Sequence, residues 1–324
     1  MREPDLDLEM QPATIDDAGS VADLEAARDP SDPRDPVMFR FRWESQMAHE
    51  ARMDRIAKAE GSALAFVAAG HEPWEPETKR YGWIRPVLHP KAWSETHFKG
   101  LIATGESWLR EQQARVAVVR VRESFKDELR VVTDLGYREE RRHKLWELDL
   151  VDGRERLLAG AESARAKMRG QGIRLMTFDQ DDDPKRLNKL YELTIAGERD
   201  IPTTVPWRTK PFEEWRHSWF DNPGVREDRF WIAREGDAMI GLSVIGYPPI
   251  RGVPWTFFTA TSPRGRGRGV ARALKYETLA QAIALGTQRV RTGNDGENAP
   301  ILHLNADMGY RAIDPVVELH RELN

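Results

Sequence analysis

The stretch SPRGRGRGVARALK at 262–275 constrains this chain more than any other. An apolar run, WTFFTATS at 255–262, reads as a strand leading into it. A helix with apolar Val270, Ala271 and Leu274 leads out. Between them Gly265, Gly267 and Gly269 let the backbone turn tightly and turn amide N–H groups inward. The helix N-terminus adds unpaired donors and the positive end of its dipole. Strand, glycine turn and helix in that order suit a pyrophosphate. Arg264, Arg266, Arg268 and Arg272 bring charge and forked donors for the same group.

Three other readings of this loop compete. A disordered Arg-Gly segment that binds RNA is long, with no strand before it and no helix after. A dinucleotide fingerprint needs Gly-x-Gly-x-x-Gly at the first strand of a βαβ unit and an acidic partner about 20 residues on. Here the glycines alternate, the loop comes late and position 289 is Arg289. A plain turn with solvated arginines is the third reading, so the flanking sequence must decide.

The chain's 324 residues are comfortable for two domains. A formal net charge of -4 gives no general affinity for nucleic acid. With 0 cysteines, disulfides, thiolate metal sites and a Cys nucleophile are excluded. The 8 histidines show no paired ligand spacing, so no metal is expected. No apolar run approaches the roughly 18 residues of a membrane span. The acidic start at 1–9 lacks a signal pattern, which gives an expectation of a cytoplasmic protein.

Along the chain, DPSDPRDP at 29–36 is a loop or helix break. Residues 37–60 read as helical, 63–69 and 81–90 as strands, 94–113 as a helix and 116–121 as a strand. A short helix follows, stopped by Gly136, and 144–150 closes the half as a strand. REERRHK at 138–144 reads as a solvated hairpin. A charged, alanine-rich segment at 154–168 reads as a connecting helix. After a strand at 173–178, Leu187, Leu190, Tyr191 and Thr194 give the next helix one apolar face. A hairpin turns at Gly236-Asp237. Beyond the glycine loop come a helix to about Leu285, a strand at 288–294, a helix at 298–308 stopped by Gly309, and a last strand near 315–320. DLGYR at 134–138 matches DMGYR at 307–311, each after an apolar helical stretch and before a strand, which points to an internal duplication.

These residues together resemble the GNAT superfamily of acyl-CoA N-acyltransferases. Its phosphate loop reads Arg/Gln-x-x-Gly-x-Gly/Ala, and Arg266, Gly269 and Ala271 fill that pattern. Downstream, Asn298 matches the family's helix-leading Asn, and Gly309-Tyr310 stands for its Gly-Phe. The resemblance covers 173–324. Residues 13–150 look like the same fold with an eroded site: HPKAWSETHFKGLI at 89–102 aligns with the loop, but Thr96 and Phe98 stand where small residues belong. The resemblance implies an α+β fold of two tandem GNAT-like domains, each a mixed, mostly antiparallel sheet flanked by helices. It divides the chain into a degenerate domain at 1–153, a connecting helix or linker at 154–172, and an acetyl-CoA-binding domain at 173–324.

The resemblance further implies acetyl-CoA as acyl donor and a small-molecule primary amine as acceptor, with no metal, nucleic acid or membrane partner. The donor would be held by Thr259, Ala260, Thr261, Arg266, Gly267, Arg268, Gly269, Val270, Ala271, Asn294 and Asn298. Backbone N–H groups of Thr259, Ala260 and Thr261 would polarise the thioester carbonyl, where the strands ending near Thr261 and beginning near Val290 splay. Glu198 is the first choice for the base that deprotonates the amine, with Asp200 as the other candidate; a solvated helix end is the competing reading of both. The family's general-acid tyrosine falls at Asn305, which cannot serve as a proton donor of suitable pKa. That departure supports an alternative, a tandem-GNAT protein that binds acyl-CoA or an amine without turnover. Trp207, Trp215, Trp219, Trp231 and Trp255 read mostly as core, with some available to line an acceptor pocket.

Overall fold

The computed structural model describes residues 8–74, 79–205, 208–296 and 298–324. The first half runs β1 (Gln11–Pro12), α1 (Ala18–Arg28), α2 (Pro36–His49), β2 (Ala51–Ala59), β3 (Ser62–His71), β4 (Tyr81–Leu88), α3 (Glu95–Glu111), β5 (Val116–Arg122), α4 (Lys126–Asp134) and β6 (Arg138–Asp149). After the connecting helix α5 (Arg154–Gly170) the same order returns. It runs β7 (Arg174–Thr177), α6 (Arg186–Arg199), α7 (Phe212–Phe220), β8 (Phe230–Glu235), β9 (Ala238–Gly246), β10 (Trp255–Thr261), α8 (Val270–Ala284), β11 (Arg289–Asp295), α9 (Ala299–Asp307) and β12 (Arg311–Glu322). The matching tails behave alike. Gly136 (φ 91°) and Gly309 (φ 87°) both adopt the left-handed conformation that ends a helix and launches a strand.

Two sequence expectations fail for identifiable reasons. Residues 37–60 are not one helix: α2 stops at His49, and β2 pairs with β3 along its whole length. Glu60 and Gly61 both take positive φ, the turn a tight hairpin needs, so sheet pairing overrides helix propensity here. REERRHK is not a hairpin either but belongs to the unbroken strand β6. Its charges find partners across the sheet: Arg141 with Asp295, Arg142 with Glu123, and His143 with Glu318.

Among the described residues the strands form one sheet of 12, in the order β1-β2-β3-β4-β5-β12-β6-β11-β10-β9-β8-β7. All neighbours are antiparallel except β4 with β5 and β10 with β11. The expected mixed, mostly antiparallel α+β architecture is therefore present, but the two sheets are fused. Their last strands are exchanged. β6 leaves the first half to pair with β11, from Asp149↔Arg289 to His143↔Asp295. β12 leaves the second half to pair with β5, from Val116↔Glu322 to Arg122↔Val316. The two exchanged strands pair with each other at the centre. Helix α5 packs along α8, with Arg165 bonded to Glu277 at 2.6 Å.

Apolar clusters cover both faces of the sheet. Phe98, Val119, Val131 and Tyr137 lie in one cluster of the first half. Phe178, Trp215, Trp219 and Phe230 lie in one cluster of the second. No helix among the described residues is long and apolar enough to cross a membrane.

Glu318 on β12 is the buried ionic centre of the exchange. It meets Arg120 of β5, His143 of β6 and His320 of β12, and accepts from the Thr204 hydroxyl. Burial alone would raise its pKa, but the bonds from His143 and His320, the Arg120 charge and the Thr204 bond outweigh it. They hold the carboxyl far below its ordinary 4.5. The unfolded chain therefore takes up this proton first, so the contribution is complete above the ordinary carboxylate range and drains away as pH falls through it. Glu318→Gln should cost about 3 kcal/mol near neutral pH, because it removes a fully buried charge that Arg120, His143, His320 and Thr204 all bond. Urea unfolding should show that difference shrinking below pH about 4.

Candidate functional site

β10 and β11 run parallel but pair only where Trp255 meets Arg291. Beyond that point they diverge, opening a wedge between their C-terminal ends. The register of β10 against β9 shifts between Thr256 and Phe258, which leaves Phe257 as a bulge at the mouth of the wedge. Ser262 N–H donates to Ile240 O. Strand alternation then commits the Ala260 amide to the β9 ladder and turns the amides of Thr259 and Thr261 toward the wedge. The sequence reading took these residues as a set; the pairing separates Ala260 from the other two.

The glycine loop follows at once. A Cβ on Gly265 would stand 2.7 Å from Ile240 O, so only glycine lets the loop press against β9. Gly267 (φ 72°) and Gly269 (φ 89°) are left-handed. Gly269 is the N-cap of α8, with no side chain capping the helix and no acidic residue in its first turn. The leading amides of α8, from Val270 onward, are thus left to a ligand. Val270 itself buries its side chain in the core, while Ala271 is half-buried. The arginines stand around this turn in ion pairs: Arg266 with Asp200, Arg264 and Arg268 with Glu235 at 2.9 Å each, and Arg272 with Asp307 at 2.6 Å. Hydrogen bonding from Arg268, ahead of the Arg264 contribution, holds the Glu235 carboxyl below its ordinary pKa.

The equivalent turn of the first half is closed. Ser94 caps α3 by accepting from His97 N–H at 3.1 Å, and His89 accepts from Lys91 N–H at 3.0 Å. Phe98 is fully buried and packs on Trp93. Where Gly269 leaves the start of α8 uncapped, Ser94 fills one of the leading amides of α3.

Asn294 near the end of β11 accepts from Asn305 Nδ2 on α9 at 2.6 Å. Asn305 is fully buried, and its Oδ1 has no partner among the described residues. Asn298 stands at the N-cap position of α9, as Gly269 does for α8, and its side chain makes no capping bond. Tyr310, read from sequence as core, is buried. The buried Lys275 ammonium lies 5.0 Å above its ring and is pushed down to about 8 by burial.

Between the halves lies a cavity of about 1080 Å³. Glu198, Trp255, Thr256 and Phe257 line it from the second half, and α2 and β4 line it from the first. Gly197 explains the position of Glu198: a Cβ there would meet the Ala260 Cβ at 2.7 Å, so α6 lies directly on β10 beside the wedge. Asp200, the other carboxylate considered, turns away to Arg266 at the phosphate loop. Trp215 and Trp219 are core, and Trp219 props Phe257 edge-on with ring centroids 4.9 Å apart. Trp231 is half-buried and donates to Gln281 at 2.9 Å. Trp207 lies outside the described residues. Sequence reasoning missed the contribution of the first half: the spacing of Phe39, Arg42 and Gln46 marks a helix face, but nothing local says what it faces. Among the described residues no group of three or more His, Asp or Glu could hold a metal ion.

Comparison with known proteins places this geometry. Residues 187–310 match the model of the acetyltransferase (GNAT) family. A tandem GNAT protein from the clavulanic acid biosynthesis pathway superposes with a TM-score of 0.71 at 15% identity, covering 98% of this chain and 99% of its own. A GCN5-related N-acetyltransferase from Sphaerobacter thermophilus gives 0.66 at 18%, over 98% and 96%. FemX gives 0.62 at 11%, over 98% of each chain. No curated protein sequence matches the chain.

The loop geometry makes a graded prediction. Gly265→Ala should destabilise by about 2 kcal/mol, through the forced displacement of the Ile240 carbonyl. Gly267→Ala meets nothing within 4 Å and should cost only the left-handed backbone penalty, about 1 kcal/mol. Urea unfolding of the two variants should rank them in that order.

Proposed function

We propose, from the premise that this chain carries a GNAT-family acetyltransferase domain across residues 187–310 within a tandem GNAT fold, that it transfers an acetyl group from acetyl-CoA to a small-molecule primary amine by direct attack. One observation carries the reading: the uncapped N-terminus of α8 opens beside the wedge between β10 and β11, while the matching turn of the first half is capped by its own side chains. In this reading 173–324 is the donor-binding domain, 154–172 the connection, and 1–153 a degenerate domain that has lost its donor site.

The amides of Gly267, Arg268, Gly269, Val270 and Ala271 receive the diphosphate. Arg266 moves from Asp200 to that group at little cost, because ion pairs this exposed are worth about 0–1 kcal/mol. Bound acetyl-CoA supplies an acyl carbon already activated as a thioester. Thr259 and Thr261 offer main-chain donors along the wedge, Asn294 and Asn305 offer polar atoms opposite, and Asn298 marks the far edge. The buried, unpaired Asn305 Oδ1 suits an amide N–H of the donor's arm. Glu198 takes a proton from the acceptor ammonium. The freed lone pair forms the new C–N bond while the C–S bond breaks. Positioning and main-chain polarisation supply most of the rate. The new amide nitrogen gives its second proton to solvent, and solvent protonates the departing thiolate, since Asn305 has no acidic proton to donate.

The second reading, binding without turnover, is favoured by Asn305 alone. A thiol-release assay over a panel of primary amines separates the two, and thiol release that depends on the amine supports transfer. Glu198→Gln should lower kcat by about a hundredfold, leaving acetyl-CoA-induced thermal stabilisation in place. Gly269→Glu should abolish that stabilisation by putting a carboxylate where the diphosphate binds. Thr96→Glu, at the capped turn of the first half, should leave it unchanged; an unchanged shift in Gly269→Glu would remove the loop assignment.

A further inference from the structure

One face of α2 looks into the cavity between the halves: Phe39, Arg42 and Gln46 recur at helical spacing along its lining. Arg42 is an exposed residue that lines the void. Among the described residues no hydrogen bond or ion pair reaches its guanidinium. Its charged neighbours make matters worse. Arg34 and Arg85 lie close enough to repel it, and only Glu25 opposes them. That one carboxylate is already engaged, by Arg34 at 3.2 Å and by Arg85. Partial desolvation against the cavity wall, then the two arginines, lower Arg42 to about 10, which still leaves it charged at neutral pH.

Arg34, Arg42 and Arg85 thus stand together on one wall of the cavity against their mutual repulsion, with one carboxylate among them. That arrangement is understandable where a ligand brings the opposite charge. The same void extends to Glu198, Thr256 and Phe257, so one molecule within it reaches both ends. Its volume, about 1080 Å³, lies at the upper end of small-molecule sites. We infer that Arg42, flanked by Arg34 and Arg85, binds an anionic group of the acceptor, so that the amine acetylated at Glu198 belongs to a molecule that also carries a carboxylate or a phosphate. This deepens the transferase reading and rests on it for the amine end alone. The first half, without a donor site of its own, then serves as the half that selects the acceptor.

The test uses the full chain as wild type, Arg42→Gln and Arg42→Lys. The first measurement needs no turnover: thermal stability in sodium phosphate, sodium acetate and sodium chloride at equal ionic strength, with coenzyme A in excess to occupy the glycine loop. Phosphate or acetate should raise the melting temperature of wild type and Arg42→Lys relative to chloride, and should do so much less for Arg42→Gln. Any anion binding at the loop is common to all three and cancels in the comparison. In chloride, Arg42→Gln should be at least as stable as wild type, having lost an unpaired charge. A response to phosphate alone assigns a phosphate; a response to acetate assigns a carboxylate. The second measurement is thiol release with amino acids from glycine to aminohexanoate against their amides, and with phosphoethanolamine against ethanolamine. Wild type should show a KM about tenfold or more lower for the anionic member of a pair, and Arg42→Gln should lose that preference. Phenylglyoxal labelling of Arg42 in wild type, read by mass spectrometry, gives the same answer without a variant, since a bound anion should protect the residue. Equal anion responses in wild type and Arg42→Gln, or no protection, would overturn the subsite whatever the transfer assay shows. An Arg42-dependent anion response without thiol release from any amine would overturn the transfer reading and leave the subsite standing.

Discussion

The pairing of β6 with β12 at the centre of the sheet is the interaction on which the rest of the molecule depends. Neither half completes its own sheet. Each relies on the other for an interior strand, and the buried carboxylate of Glu318 ties the exchanged strands to β5 and to the loop carrying Thr204. The cavity between the halves follows from that exchange, because it holds β4 with α2 of one half opposite β10 with α6 of the other. Further contacts bind the same seam. Arg291 on β11 reaches Asp32 at 3.1 Å, and Asp35 accepts from the amides of Ile250 and Arg251. Residues 32–35 of the first half thus brace the strand and loop that flank the wedge.

The two halves show one topology with two outcomes at the same place. Both contain a parallel strand pair followed by a turn and a helix. In one, glycines leave the helix amides exposed and the strands part early. In the other, Ser94 and His89 satisfy the amides and Phe98 fills the space behind them. A helix N-terminus is a binding site only while its donors lack internal partners. The difference between the open and the closed turn is therefore a matter of a few side chains, with the backbone plan unchanged.

Much of this was legible from residues alone. The element order, the hairpin at Gly236-Asp237, the glycine loop and the duplicated tails all rest on local patterns that tertiary structure did not override. The errors share one cause, information carried by distant partners. The alternating charges of β6 look like a solvated turn until Asp295, Glu123 and Glu318 are placed opposite them. β2 looks helical until β3 lies beside it. At the site, the sequence reading set Glu198 after the first helix of the second half, whereas it lies in the last turn of α6 and lines the cavity. That Asp200 turns to Arg266, and that Ala260 gives its amide to β9, depended on register and rotamer. Arg42 carries no local signal at all. Only the cavity shows that its charge has been left without a counterpart.

The exchange of strands also limits how such a chain can change over generations. A duplicated module normally becomes dispensable once its own activity decays, and deletion then follows. Here the first half supplies β6 to the second and receives β12 in return, so cutting the gene between them would strip both products of a central strand and expose long unpaired edges. Loss of one copy is therefore blocked by topology rather than by selection on its chemistry. A copy that cannot be discarded is free to drift toward new contacts inside the shared cleft.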